Sequence, residues 1–213
     1  ILTCTSLWVG LSSSLPEIIT ERAIYLRERL INLRIPAYVG SKFTVLTALA
    51  IVQSSLIAIA IAIGFHSPTP GFISWHLGIF INTFLTLTAS FSLGLLISAA
   101  VSNSHQANRV LPLILLPQII FSGVLFKLQG VGSIISYFML SRWAMAAYGT
   151  IANINNLVPT ALRVNSIEAL PFPAGIAYAP TWENLSFNWL MLVIHITIYL
   201  GVTAWLQVRK DIL

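Results

Sequence analysis

The residues of this sequence that could do chemistry are few and scattered. His66, His76, His105 and His195 stand at no metal-binding spacing, so no metal site is assigned. Cys4 is the lone cysteine, which excludes a disulfide framework or a thiolate metal cluster built from this chain. No G-x-x-x-x-G-K-S/T loop occurs, so the chain carries no phosphate cradle for hydrolysing ATP and no catalytic residue is assigned. The remaining polar groups with a possible task fall in three places. Glu17, Glu21 and Glu28 alternate with Arg22, Arg27, Arg29 and Arg34. Gln118 interrupts an apolar run that also holds Pro112 and Pro117. His195 stands in the last apolar run, with Thr197 and Tyr199 nearby and no charged partner. An ionisable group inside a membrane is a functional candidate, but these neighbours favour a neutral, hydrogen-bonded packing role.

The elements that position these residues are membrane helices. Hydrophobic residues make up 57% of the chain and charged residues only 8%, with a mean hydropathy of +0.87. A water-facing surface normally needs about a quarter of the residues charged. Between Lys42 and Arg109, 66 residues hold no Asp, Glu, Lys or Arg. A run of that length predicts two crossings with a turn between them. Four full crossings are expected, at 43–64, 74–100, 110–126 and 187–208. Residues 1–15 reach only about 22 Å as a helix, against a hydrocarbon core of about 30 Å. They read as the end of a crossing whose start is missing. The expected class is therefore an all-α, polytopic membrane helical bundle, N-terminally incomplete.

Orientation follows from Lys and Arg. Five of the eleven basic residues fall within Arg22–Lys42, so the net charge of +5 is a topology signal and not a nucleic-acid footprint. Arg109, Arg209 and Lys210 mark the same side, and the turn 65–73 has no basic residue. Placing the basic segments in the cytoplasm satisfies each crossing, with Ile1 outside and Leu213 inside. A multi-pass protein of the plasma (inner) membrane is expected. Residues 131–149 are apolar, but Arg142 interrupts them after eleven residues. They read as short helices that dip in from the outer face and return. Residues 150–186 then form an external loop rich in proline. Its Asn184-Leu185-Ser186 sequon reads as a chance match.

Small residues recur every fourth position in two crossings: Ala50, Ser54, Ala58 and Ala62, then Ser90, Gly94, Ser98 and Ser102. Such stripes let membrane helices approach closely. Residues 17–34 have helical composition, with Ile19, Ala23, Leu26, Leu30 and Leu33 as an apolar stripe. Pro16 suits a first turn and Pro36 is expected to end the helix nearby. A basic amphipathic helix can lie on lipid headgroups. Carboxylates gathered on one face suit a protein partner better. In the third crossing, Pro112 and Pro117 predict a kink. Such a helix either lines a pathway or is a plain structural bend.

The run Pro117-Gln118-Ile119-Ile120-Phe121-Ser122-Gly123-Val124-Leu125-Phe126, followed by Ile135-Ser136-Tyr137-Phe138 and Ser141-Arg142-Trp143-Ala144, resembles the type-2 ABC exporter membrane domain of the subfamily G (white/brown-complex) class, in a bacterial-like form. Glu21-Arg22-Ala23-Ile24-Tyr25-Leu26-Arg27-Glu28 resembles the connecting helix of that class. The resemblance implies six crossings, two membrane domains in a homo- or heterodimer, and ATP-binding domains fused upstream or on a separate chain. ATP and Mg would be held on those domains, with no cofactor in this chain. It further implies that Thr5, Trp8, Val9, Ser12, Leu116, Ile119 and Ile120 line a central cavity. Val124 and Leu125 would form its gate, where a pair of apolar side chains can seal a pore by dewetting. This chain departs from the family by having Val at the first gate position, Val124. Glu21, Arg27 and Glu28 would couple the helix to the ATP-binding domain. The implied function is the permease part of an ATP-driven exporter of a hydrophobic or lipid-like substrate. The alternatives are a membrane-embedded lipid-modifying enzyme, which would need a polar catalytic cluster, an ion-coupled carrier, which would need intramembrane carboxylates, and a polysaccharide-exporting type-2 permease.

Overall fold

The computed structural model describes residues 1–30, 33–65, 73–101, 103–123, 128–157 and 176–210. The described residues are all-helical apart from turns. In chain order the helices are α1 (Leu2–Ser14), α2 (Glu17–Thr20), α3 (Arg22–Leu30), α4 (Ile35–Gly64), α5 (Trp75–Ala100), α6 (Ser104–Ile120), α7 (Val131–Ser136), α8 (Leu140–Ile151) and α9 (Ile154–Leu157). A 3₁₀ turn, Ile176–Tyr178, precedes α10 (Trp182–Lys210). Among these, α4, α5 and α10 are long and apolar enough to cross a membrane.

The bundle is built around α5. This helix carries no charge, and most of its residues are buried against α1, α4, α8 and α10. It can be buried all round because its small residues let neighbours approach. A Cβ on Gly10 would lie 2.5 Å from the Ser90 Cβ, and one on Gly94 only 1.9 Å from the Ser14 Oγ. Ser90 Oγ donates to the Leu7 carbonyl at 2.9 Å. Ser90 and Gly94 therefore seat α1, which runs parallel to α5. Ser102, the last member of that stripe, lies outside the described residues. In α4, Ala50 and Ser54 are fully buried, and Ala50 packs with Leu87, Phe91 and Leu95 of α5. The stripe fades toward the far end, where Ala62 is exposed. Outward faces stay apolar: Val45, Val52, Leu56 and Ile63 on α4, and Leu190, Ile198 and Trp205 on α10. Apolar side chains on the outside of a long apolar helix suit hydrocarbon as solvent.

Three expectations need correction. The segment 17–34 is not one helix. It breaks at Glu21, whose ψ of 5° leaves the helical region, and this re-aims the following turns. The buried residues are accordingly Ile18 and Tyr25. Of the expected stripe, Ile19 and Leu33 are half-buried, while Ala23 and Leu26 are exposed. Leu30 has no described side chain. Pro36 opens α4 rather than closing the previous helix, since a proline in the first turn forfeits no helical hydrogen bond. Lys42 is thus helical. Finally, the helix expected at 110–126 spans Ser104–Ile120. The Asn103 side chain caps its start by accepting from the Gln106 N–H at 2.8 Å. Its end follows Pro117 and reaches Gly123 at φ +81°, a left-handed stop that glycine adopts without steric cost.

Candidate functional site

The basic residues gather at one end of the bundle. Arg22, Arg27 and Arg29 lie on α3, Arg34 and Lys42 begin α4, Arg109 lies in the first turns of α6, and Arg209 and Lys210 close α10. Among the described basic residues, Arg142 alone lies at the other end. Lys210 Nζ donates to the carbonyls of Ala99 at 2.6 Å and Val101 at 3.4 Å. It supplies donors and positive charge where the carbonyls of α5 run out of helical partners.

The connecting segment is fastened to this end by three attachments. Ser98 Oγ accepts the N–H groups of Ile18 and Ile19, both at 3.1 Å, and so caps α2 from the neighbouring helix. Lys42 Nζ reaches Glu17 at 3.1 Å and Glu21 at 2.5 Å. The Tyr25 and Tyr38 rings pack in a tilted pair with centroids 4.8 Å apart, joining α3 to α4. Glu21 is therefore turned inward to Lys42, while Arg27 and Glu28 are exposed. The three expected coupling residues do not share one environment.

A second surface lies on α1 and its neighbour α6. Thr5, Trp8 and Ser12 are exposed on α1, and Val9 is half-buried. Leu116 and Ile120 are exposed on α6, and Ile119 is half-buried. This surface is uncharged and mixes hydroxyls with large apolar groups. Val124 and Leu125 lie outside the described residues.

The comparisons with known proteins fit this architecture. Residues 1–154 match the family described as "ABC-2 type transporter". The chain belongs to the ABC-2 type transporter family. It is also 29% identical over 210 residues to the ABC transporter ATP-binding/permease protein Rv1747 of Mycobacterium tuberculosis. That match covers 96% of this chain but 23% of the relative, so the chain spans under a quarter of that protein's length.

Within this ABC-2 domain, the end opposite the basic cluster is tied by neutral hydrogen bonds. Its centre is α8, twelve residues long, or about 18 Å, and buried along nearly all its length. Asn82 Nδ2 donates to the Ala144 carbonyl at 3.0 Å, and the Thr83 and Tyr148 hydroxyls pair at 2.7 Å. Gln118 Oε1 accepts the Ser141 N–H at 3.0 Å, and Ser141 Oγ donates to the Gln118 carbonyl. Gln118 is thus a tie between α6 and α8, buried and turned away from the α1–α6 surface. Arg142 donates to Ser136 Oγ and lies 4.2 Å from the centre of the Tyr137 ring. Burial pushes the Tyr178 phenol up, and the Arg142 guanidinium partly offsets this. Asn184 Nδ2 donates to Thr150 Oγ1 at 2.9 Å and to the carbonyls of Ala177 and Ala179. Its amide is engaged within the fold.

His195 pairs through Nδ1 with the Met191 carbonyl at 2.7 Å and meets the Tyr199 ring edge-on. The contact with a carbonyl requires Nδ1 to carry the proton. Among the described residues, no group of three His, Cys, Asp or Glu could hold a metal ion. Sequence reasoning missed the structural use of Ser98, Lys42 and Lys210. Ser98 stood out as a small residue, and only its position opposite Pro16–Ile19 in space shows it as a cap.

Proposed function

We propose that this chain is the membrane-spanning permease part of an ATP-driven exporter of the subfamily G (white/brown-complex) class. It would move a hydrophobic or lipid-like substrate out of the cytoplasm or the inner leaflet by alternating access. One observation carries this reading: the connecting segment is fixed directly to the central helix α5 through Ser98, and its Arg27 and Glu28 are left exposed. An ATP-binding domain pressing on that exposed side would move a lever joined to the hub of the bundle. That domain would hold ATP and Mg, either on the same polypeptide or on a separate chain. The fusion in the mycobacterial relative's name, ATP-binding/permease, supports such a pairing.

The α1–α6 surface supports the other half of the reading. Thr5, Trp8, Ser12, Leu116 and Ile120 would face a second membrane domain across a two-fold axis and line the cavity between them, with Val9 and Ile119 at its edge. Apolar contact with a few hydroxyls suits a lipid-like cargo. Val124 and Leu125 would close the cavity beneath its exit. The test is Glu28→Ala in the assembled exporter. Expected is normal membrane insertion with reduced substrate-stimulated ATPase. Unchanged stimulation and unchanged transport would remove the connecting helix from the mechanism.

A further inference from the structure

A shallow, open groove with about 30 Å³ of interior space lies at the basic end, between α2, α3, the end of α5 and the end of α10. Its polar lining is Arg22, Gln207 and Lys210, together with Tyr25 and with Ser98, which is already engaged as the cap of α2. Arg22 is exposed and has no acidic partner among the described residues, because Glu17 and Glu21 are both held by Lys42. Lys210 donates to the carbonyl end of α5, and burial together with the nearby Arg22 guanidinium lowers its pKa from the usual lysine value. Gln207 is only 4% exposed, and its side chain lines the groove, where its amide can donate to an incoming acceptor.

The rest of the lining is apolar: Ile18, Ile19, Leu26, Ala99 and Val101. The groove also lies at the depth of a lipid headgroup. Trp205, one turn and a half before Lys210, is exposed, with the Arg209 guanidinium 5.1 Å from its ring. An exposed tryptophan paired with arginine at the end of an apolar helix marks a membrane–water interface. We propose that this groove binds the phosphate of an anionic phospholipid. Arg22 and Lys210 are the cationic contacts, the Gln207 amide is the neutral donor, and the first part of the acyl region lies along Leu26 and Val101. A carboxylate from a protein partner would satisfy the charges and leave the apolar wall uncovered. The ligand holds α3 and α10 together across the end of α5, so it would stiffen the connecting segment at its root.

The test uses the full chain, delipidated in a neutral detergent, with its unfolding midpoint followed by intrinsic tryptophan fluorescence. It is titrated with dioctanoyl phosphatidylglycerol, dioctanoyl phosphatidylcholine and inorganic phosphate. Expected is a saturable rise in midpoint with phosphatidylglycerol alone. Arg22→Gln should weaken the apparent affinity about fivefold, the weight of one basic residue near an anionic lipid surface. Arg34→Gln, an exposed basic residue outside the groove, should leave the titration unchanged. Arg22→Gln should unfold like the parent without lipid, since Arg22 is exposed. An equal response to inorganic phosphate would reassign the groove to a soluble phosphate. Equal weakening by Arg34→Gln, or no rise with phosphatidylglycerol, would overturn the site.

Discussion

The two ends of this bundle are held together by different chemistry. At the basic end, a serine cap, a half-buried cluster of two glutamates on one lysine, and a pair of tyrosine rings fasten α2 and α3. At the opposite end, α8 is buried and fixed by neutral hydrogen bonds from Asn82, Thr83, Gln118 and Asn184. The members of the charged cluster keep 16 to 40% of their side-chain area in contact with solvent. Exposed ion pairs contribute little, whereas a buried polar group left alone is costly. The first end can therefore shift at small cost, and the second resists change. A coupling segment at the compliant end and a fixed stop at the other is the arrangement a pushed lever requires.

The largest effect should come from breaking the fixed end. Gln118→Leu would leave the Ser141 N–H without a partner and free the tip of α6, costing about 1–3 kcal/mol. Thermal unfolding in detergent should show a clear loss, and an unchanged midpoint would mean that the tie is not structural. Ser98→Ala comes next. It removes the cap on α2 and should cost about 1 kcal/mol. Its signature should be faster amide exchange at Ile18 and Ile19, with α8 unaffected. Lys42→Gln should cost less than about 1 kcal/mol, and the cost should shrink further in high salt. A loss as large as that from Gln118→Leu would erase the contrast between the two ends.

Much of the fold was legible because charge and hydropathy act over whole helices. The stretch between Lys42 and Arg109 announces α4 and α5 by the absence of charge alone. The Ser90–Gly94 stripe announced a close approach, and α1 fills it. The errors arise where a single residue decides. The connecting helix breaks at Glu21, whose side chain pairs with Lys42, a contact spanning 21 residues that periodicity cannot register. α6 ends at Ile120, before the apolar run ends, and Gly123 turns left-handed three residues later, which hydropathy cannot register. The candidate site was less legible. Glu21, Arg27 and Glu28 look equivalent in sequence, but only the last two are free to meet a partner. Gln118 was open to two readings, and its buried contacts with Ser141 decide for structure.

The central claim is that an ATP-binding domain seats on the connecting helix while the far end keeps its internal contacts. Hydrogen–deuterium exchange on the exporter in lipid nanodiscs, with and without trapped ATP, tests it most directly. The amides of Arg22–Leu30 should exchange quickly in the membrane domain alone and become protected when the ATP-bound partner is present. Those of Leu140–Ile151 should be slow in both states. Protection confined to Leu140–Ile151, with Arg22–Leu30 unchanged, would contradict the account.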